Sequence, residues 1–167
     1  MGYDDHSQNL PDEVAFSVLI ISDSRTLDTD ETGKYLLQAI PESGHIALEY
    51  ALVKNDAQQI YDKFSQFINN QECDVIICSG GTGASHKDIT IETLTPLMDK
   101  VMDGFGEIFR KFSFDEIGTG AILSRATAGI KNGKVVICLP GSLKAVTMAF
   151  NKIIIPEIRH LVKEASR

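Results

Sequence analysis

The 167-residue sequence has little positive charge, few cysteines and no long apolar run. Its 16 lysines and arginines are outnumbered by 23 aspartates and glutamates, which gives a formal net charge of −7. Because proteins that bind nucleic acid through charge normally present a basic face, this balance argues against a nucleic-acid partner. A local basic pocket for a phosphorylated small molecule remains compatible with it.

The three cysteines, Cys73, Cys78 and Cys138, form no CxxC pair and no cluster with histidine. An odd number without paired spacing is not typical of a disulfide framework or a zinc site. No apolar run approaches the roughly 18 residues of a membrane span, and the polar, acidic N-terminus does not resemble a signal peptide. We therefore expect a cytoplasmic protein without membrane association. Residues 1–13 are predicted to be a flexible tail, and residues 14–167 a single domain.

Short apolar runs rich in branched residues alternate with helical patterns along the chain. Such runs are typical of strands buried on both faces of a parallel sheet. We predict strands at residues 14–21, 46–53, 74–78, 127–130 and 135–139. Asn132-Gly133 separates the last two, and this dipeptide indicates a hairpin because both turn positions need positive φ. The predicted fold is a three-layer α/β/α sandwich, with a mostly parallel sheet that contains one antiparallel hairpin.

Hydrophobic spacing and capping residues locate the helices. The buried face of one helix, capped by Asn55 or Asp56, is predicted to hold Ile60, Phe64, Phe67 and Ile68. A second stripe, typical of the core or of a subunit interface, consists of Phe105, Ile108, Phe109 and Phe112. Shorter helices are expected near residues 30–41, 91–98 and 121–125. A long helix should start at Leu143, and Pro156 either kinks it or ends its first part.

Three of the predicted parallel strands run into short segments of small and polar residues. These segments are Ser22–Arg25 (SDSR), Ser79–Gly83 (SGGTG) and Pro140–Ser142 (PGS). In open α/β sheets, ligands bind at the carboxyl ends of the strands, where such loops meet. We therefore expect the three segments to converge on one binding site.

The SGGTG segment has the composition of an anion-binding loop. Its glycines allow sharp turns and a close approach to the backbone N–H groups, and successive N–H groups form a nest for a phosphate. A tight turn without a ligand is the alternative. The segment matches neither GxxxxGK[ST] nor GxGxxG, so the common nucleotide-binding loops are not indicated. Ser142 precedes a helix, whose N-terminus is a second candidate anion site.

Two aspartates follow predicted strands on the same edge of the sheet. Asp88 lies just beyond the glycine loop, and Asp56 follows the second strand. Each could simply cap the helix that follows it. A carboxylate beside a phosphate also makes sense when Mg²⁺ lies between them, since Mg²⁺ binds one or two carboxylates together with substrate phosphates. The pair therefore favours metal-assisted phosphoryl or nucleotidyl transfer. Positive charge near the site could come from Arg25, Lys87, Arg125 and Lys144, or these could be surface charges.

The ordered set of motifs resembles the molybdenum-cofactor biosynthesis proteins of the MoaB/MogA type. The resemblance covers about residues 14–160 and is carried by SDSR, Asp56, SGGTG with Asp88 and Thr90, Gly104–Glu107, Leu123–Arg125 and Leu139–Ser142. It implies a trimer or hexamer that binds molybdopterin, a pterin dithiolene with a terminal phosphate. In the catalytic branch of the family, molybdopterin is adenylylated with Mg-ATP before a molybdate insertase acts.

The resemblance also assigns roles to residues. Asp56 and Asp88 match the two functional aspartates, with catalytic and Mg²⁺-binding roles. Molybdopterin and its phosphate would be bound by Ser79, Gly80, Gly81, Thr82, Gly83, Thr90, Pro140, Gly141 and Ser142. The nucleotide side or the rim of the site would be formed by Ser22, Asp23, Ser24, Arg25, Gly106, Glu107, Ser124 and Arg125.

Three functions remain open at this point. The first is molybdopterin adenylyltransferase, which the retention of both aspartates favours. The second is a non-catalytic module of the same fold that holds or hands over molybdopterin. The third is a relative of the competence-damage (CinA-type) proteins, which carry a similar glycine loop.

Overall fold

The computed structural model describes residues 10–167. Residues 1–9, most of the predicted tail, lie outside the described residues, and residues 10–13 belong to no helix or strand. No helix among residues 10–167 is both long enough and apolar enough to cross a membrane.

The chain alternates between strands and helices, as the sequence predicts. The strands are β1 (Ala15–Ile21), β2 (Ile46–Val53), β3 (Val75–Ser79), β4 (Lys100–Val101), β5 (Thr127–Lys131) and β6 (Lys134–Leu139). The α-helices are α1 (Glu31–Glu42), α2 (Ala57–Asn69), α3 (Thr90–Leu94), α4 (Asp103–Ile117), α5 (Leu143–Ala149) and α6 (Ile155–Ala165). Short 3₁₀ segments occupy Thr95–Leu97 and Gly118–Leu123, and a π-helical turn, Phe150–Ile154, joins α5 to α6.

The six strands form one sheet in the order β2-β1-β3-β6-β5-β4. The pairs β1–β2, β1–β3 and β3–β6 are parallel, whereas β5 runs antiparallel to both β6 and β4. The predicted hairpin connects β5 to β6, and both of its turn residues have positive φ: 50° at Asn132 and 74° at Gly133. The sequence did not predict β4, because a strand of two exposed residues shows no alternation of apolar and polar side chains.

The central strands are buried on both faces, which produces the three layers. Successive side chains of a strand point to opposite faces. In β1, Val18 and Ile20 pack into a core that includes Phe109 and Phe150, under α1, α4, α5 and α6. Leu19 and Ile21 pack into a second core, under α2 and α3, that includes Ile60, Phe64 and Phe67. The predicted α/β/α sandwich is confirmed.

The structure corrects one local prediction and adds detail to two others. The expected helix at residues 121–125 is a 3₁₀ segment that starts earlier, at Gly118, where a φ of 61° ends α4. Within the aromatic stripe, Phe105 and Phe109 are buried but Ile108 is 48% exposed. The long helix from Leu143 is interrupted by the π-helical turn just before Pro156, which lacks an N–H and cannot continue the α-helical hydrogen bonds.

His45 ties the start of β1 to the turn after α1, and its protonation should weaken the fold. Its Nδ1 accepts a hydrogen bond from the Val14 N–H at 3.3 Å, and its ring packs 5.7 Å from that of Phe16. Burial, with the charge of Arg159, lowers the pKa of His45 below 6.5. The unfolded chain therefore takes up a proton more readily than the folded one as pH falls below about 6.5.

We expect the free energy of unfolding to fall through this residue as the pH decreases below about 6.5. His45→Asn keeps an acceptor near the position of Nδ1 but cannot titrate, so its stability should depend less on pH. Urea denaturation of both proteins across this range tests the expectation. Equal pH dependence in the two proteins would contradict it.

Candidate functional site

The loops after β1, β3 and β6 meet around one cavity of about 760 Å³. The cavity lies where β1 is flanked by β2 on one side and β3 on the other, the point in such sheets where ligands bind. Of the residues that the sequence singled out, those that line it are Ser22, Asp23, Ser24, Arg25, Asn55, Gly80, Gly81, Thr82, Gly83, Lys87, Asp88, Leu123, Ser124, Pro140, Gly141, Ser142 and Lys144. The predicted convergence of the three loops is confirmed.

Gly80 packs the glycine loop against the end of β1. Its φ is 103°, a conformation that L side chains rarely adopt. A Cβ on this residue would lie 2.0 Å from the carbonyl oxygen of Ile21, and its N–H donates to the carbonyl of Leu139 at 2.9 Å. This single residue therefore contacts the ends of both neighbouring strands.

Three side chains brace the glycine loop from outside the cavity. Ser79 Oγ donates to the Pro140 carbonyl at 3.0 Å, which joins the second loop to the third. Thr90 Oγ1 donates to the Gly80 carbonyl at 2.7 Å, and Arg125 Nη1 donates to the Gly83 carbonyl at 3.0 Å. All three were predicted as ligand-binding or rim residues, but their polar atoms bond the loop instead of lining the cavity.

Arg125 is also held by an ion pair with Glu92. Burial acts to raise the pKa of Glu92, but the hydrogen bond from Arg125, together with the glutamate's own N–H and the charge of Arg125, lowers it overall. Arg125 therefore has a charged partner in place, and its role is to hold the loop.

Of the two aspartates predicted to bind a metal, Asp88 is the one that lines the cavity. Its carboxylate packs against the loop, so that a Cβ on Gly83 would lie 2.6 Å from Asp88 Oδ2. The alternative that it caps α3 is wrong: Ile89 occupies the capping position, with no side-chain hydrogen bond to the helix. Within residues 10–167 no hydrogen bond or ion pair engages the Asp88 carboxylate, which leaves its oxygens available to the cavity.

Asp56 takes the helix-capping position, which the sequence offered as the alternative to metal binding. It is exposed and caps α2, with Oδ1 accepting from the Gln59 N–H at 2.9 Å. Asp56 does not line the cavity, whereas its neighbour Asn55 does. Asn55 is fixed by its N–H, which donates to Asp23 Oδ1 at 2.9 Å, and its own Oδ1 is buried without a hydrogen-bond partner among the described residues.

Charges of both signs surround the cavity. Arg25, Lys87 and Lys144 contribute positive charge, and Asp23, Asp88 and Glu116 contribute negative charge. This combination suits a phosphorylated ligand that arrives with a cation, since neither sign alone dominates the lining.

Several lining residues carried no sequence signal. Glu116 and Ile117 come from the end of α4, and Met148 from α5, so only the packing of these helices brings them to the loops. Conversely, Gly106 is buried beneath the Ala126 carbonyl, and Glu107 is exposed elsewhere on α4. Neither residue lines the cavity.

The oxygen donors at the cavity fit a magnesium ion that is bound partly by the protein and partly by a phosphate of the ligand. No group of three or more histidines, cysteines, aspartates or glutamates that could hold a metal occurs within residues 10–167. Mg²⁺ does not require such a cage, because it keeps waters and binds one or two carboxylates plus substrate oxygens. The unengaged Asp88 carboxylate beside the glycine loop can be one of these ligands.

The fold and the cavity together define an α/β domain with a loop-lined cavity, suited to an anionic ligand, at the carboxyl edge of its sheet. A family model for a probable molybdopterin binding domain matches residues 17–160. Over 165 residues the chain is 42% identical to molybdenum cofactor biosynthesis protein B of Bacillus subtilis (strain 168), which covers 98% of this chain and 97% of that protein.

Solved structures give the same result. The crystal structure of a molybdenum cofactor biosynthesis protein B matches with a TM-score of 0.89 at 42% identity, covering 93% of this chain and 97% of that one. The tungsten cofactor synthesizing protein MoaB from Pyrococcus furiosus matches with a TM-score of 0.85 at 34% identity, covering 94% and 99%. The chain belongs to the molybdopterin-binding domain family of molybdenum cofactor biosynthesis proteins.

Replacing Gly80 with alanine should strongly destabilise the protein. The new Cβ would overlap the Ile21 carbonyl, and the residue would have to keep a positive φ. We expect the free energy of unfolding to fall by more than about 2 kcal/mol. Gly104→Ala is the control, because no described atom beyond its chain neighbours and its own helix backbone lies within 4 Å of its Cβ position in α4. Alanine is the better helix former, so this variant should be neutral or slightly stabilised in denaturant titrations.

The two aspartates should differ in their effect on stability. Asp56→Ala removes the cap of α2 and should cost about 1 kcal/mol, while Asp56→Asn keeps a capping oxygen and should cost much less. Asp88→Ala removes no hydrogen bond and should change the free energy of unfolding by less than about 0.5 kcal/mol. Denaturant titrations of the three variants decide this, and an equal loss for Asp56→Ala and Asp88→Ala would contradict the assignment.

Proposed function

We propose that this protein binds molybdopterin in the loop-lined cavity and adenylylates it with Mg-ATP, before molybdate is inserted. Membership of the molybdopterin-binding family supports the first part of this proposal. The third possibility left by the sequence, a CinA-type function, is less favoured because a curated cofactor-biosynthesis protein is similar over almost the whole chain. We place the reaction in the cytoplasm.

The observation that carries the proposal is the position of Asp88. A bare carboxylate beside a phosphate-binding loop would repel the ligand, unless a cation lies between the two. The carboxylate touches Gly83 of that loop and has no protein cation as a partner among the described residues. A magnesium ion that arrives with ATP would supply the missing cation and so remove the repulsion between the carboxylate and the phosphate.

Different residues of the chain provide ligand binding, charge neutralisation and metal ligation. The backbone of Gly80–Gly83 and the Pro140–Ser142 loop bind molybdopterin and its phosphate, and Arg25, Lys87 and Lys144 offset the charge of the added nucleotide. Asp88 contributes a carboxylate ligand for Mg²⁺. Asp56, the second functional aspartate, lies at the N-terminus of α2, next to the cavity residue Asn55. When bound, Mg²⁺ supplies neutralisation of phosphate charge and in-line positioning of the two phosphates, which provide most of the catalysis in such transfers.

A second candidate function is a molybdopterin carrier of the same fold. It is favoured by the position of Asp56, which is exposed and engaged as the cap of α2 and does not line the cavity. A site in which only one of the two functional aspartates lines the cavity can bind a phosphorylated pterin without completing a transfer. This candidate differs from the first only in chemistry, so product analysis separates them.

We also propose that the protein assembles as a homotrimer or hexamer and passes its product to a molybdate insertase. Support for an assembly comes from large apolar side chains exposed on the end of α4 and on the 3₁₀ segment packed against it: Phe114 at 57%, Ile122 at 80% and Leu123 at 68%. Apolar side chains grouped in this way on a surface mark a protein interface.

Purified protein incubated with molybdopterin, Mg²⁺ and ATP should yield adenylylated pterin, detected by mass spectrometry. Asp88→Asn should retain molybdopterin binding and lose at least about 100-fold in turnover, because a charge-stabilising ligand is removed. Asp115→Asn is the control, since this exposed carboxylate does not line the cavity. Bound but unmodified pterin with the wild-type protein would leave only the carrier function. Normal turnover by Asp88→Asn would remove the metal-binding role of that residue.

A further inference from the structure

The carbonyl oxygen of Gly141, in the third loop of the cavity, accepts two hydrogen bonds from side chains of other segments. Arg25 Nη2 donates to it at 2.8 Å, and Thr32 Oγ1 at 3.1 Å. Arg25 Nη1 also donates to Thr32 Oγ1, at 3.1 Å. We call these two side chains and the carbonyl they hold the Gly141 clamp. Arg25, expected from the sequence to face a ligand, therefore uses much of its guanidinium to hold the protein's own backbone.

A buried carboxylate fixes the clamp in turn. Asp30 is completely buried and accepts from the Tyr50 hydroxyl at 2.6 Å, from the Gly33 N–H at 3.0 Å and from Arg25 Nη1 at 3.5 Å. Burial and the bond to Asp30 raise the pKa of Tyr50, so that its hydroxyl keeps its proton and remains a donor. The packing is tight, since a Cβ on Gly33 would lie 2.1 Å from Asp30 Oδ2 and 2.5 Å from Tyr50 Cε2.

Apart from Arg25, which lines the cavity itself, the residues that build the clamp reach a ligand only through the third loop. Gly141 and Ser142 line the cavity, whereas Asp30, Thr32 and Tyr50 do not. In a planar trans peptide the N–H points away from the carbonyl that precedes it. Two donors on the Gly141 carbonyl therefore also fix the direction of the Ser142 N–H, a group available to a phosphate.

We propose that Asp30, Thr32 and Tyr50 are positioning residues, which hold the Pro140–Ser142 loop in the shape that binds the phosphate of molybdopterin. This inference rests on the proposed function and extends it to side chains outside the cavity. A loop that is already ordered before the ligand arrives does not lose conformational freedom on binding, so its affinity for the ligand is higher.

Thr32 provides the sharpest test. Thr32→Val removes the hydroxyl that donates to Gly141, and Thr32→Ser retains it. We expect Thr32→Val to weaken molybdopterin binding about tenfold, the value of one hydrogen bond, and Thr32→Ser to bind within about twofold of wild type. Full-length protein without ATP is titrated with molybdopterin, and binding is followed by pterin fluorescence well below the unfolding temperature of each variant.

Two further variants control for a purely structural effect. Thr95→Val removes another buried hydroxyl, which lies outside the cavity and lacks a hydrogen-bond partner among the described residues, and should leave the affinity unchanged. Tyr50→Phe removes the donor to Asp30 and should weaken binding in the same direction as Thr32→Val, which tests the clamp even if Thr32→Val does not fold.

The outcomes separate the inference from the function on which it rests. Wild-type affinity in a folded Thr32→Val or in Tyr50→Phe, or failure of Thr32→Ser to restore binding, would overturn the positioning role alone. A wild-type protein that binds no molybdopterin would overturn both the positioning role and the proposed function.

Discussion

The close approach of the Gly80 backbone to the end of β1 is the constraint on which the binding site depends. The positive φ of this residue turns the chain directly after β3, and its contact with the Ile21 carbonyl leaves no room for a side chain. Its N–H meanwhile bonds the carbonyl of Leu139 at the end of β6. Three strand ends are thereby held at backbone contact distance, and the three loops that follow them must share one cavity.

Around this junction, several polar side chains hold the loops in place through hydrogen bonds to backbone carbonyls. Ser79, Thr90 and Arg125 each donate to a loop carbonyl, and Arg25 donates to another. Bonds of this kind satisfy carbonyls that the loops cannot pair among themselves, and they leave N–H groups free for an anion. Asp88 differs from these four residues, because its carboxylate is unengaged among residues 10–167 and faces the cavity. Binding is therefore a property of the loops as a unit, while any chemistry depends on very few side chains.

Much of the fold was predictable because it follows from local pattern. The apolar runs gave β1, β2, β3 and β6 to within about one residue, and Asn132-Gly133 gave the hairpin, since these features depend on side-chain burial and turn geometry alone. The two-residue β4 and the π-helical turn before Pro156 were not predictable. The first is defined only by its partner strand, and the second by how the last helix adjusts to a missing N–H.

The sequence by itself determined which loops form the site, because parallel strands always deliver their carboxyl ends to the same edge of the sheet. It also determined the family, since the ordered motifs are specific. Only the tertiary structure decided which residues face the cavity. Asp56 and Asp88 look alike in sequence, yet one caps a helix and the other lies bare against the glycine loop. The reason is physical: the Asp56 carboxylate accepts a local N–H three residues along the chain, whereas only the tertiary packing places the Asp88 carboxylate against the glycine loop without a donor among the described residues.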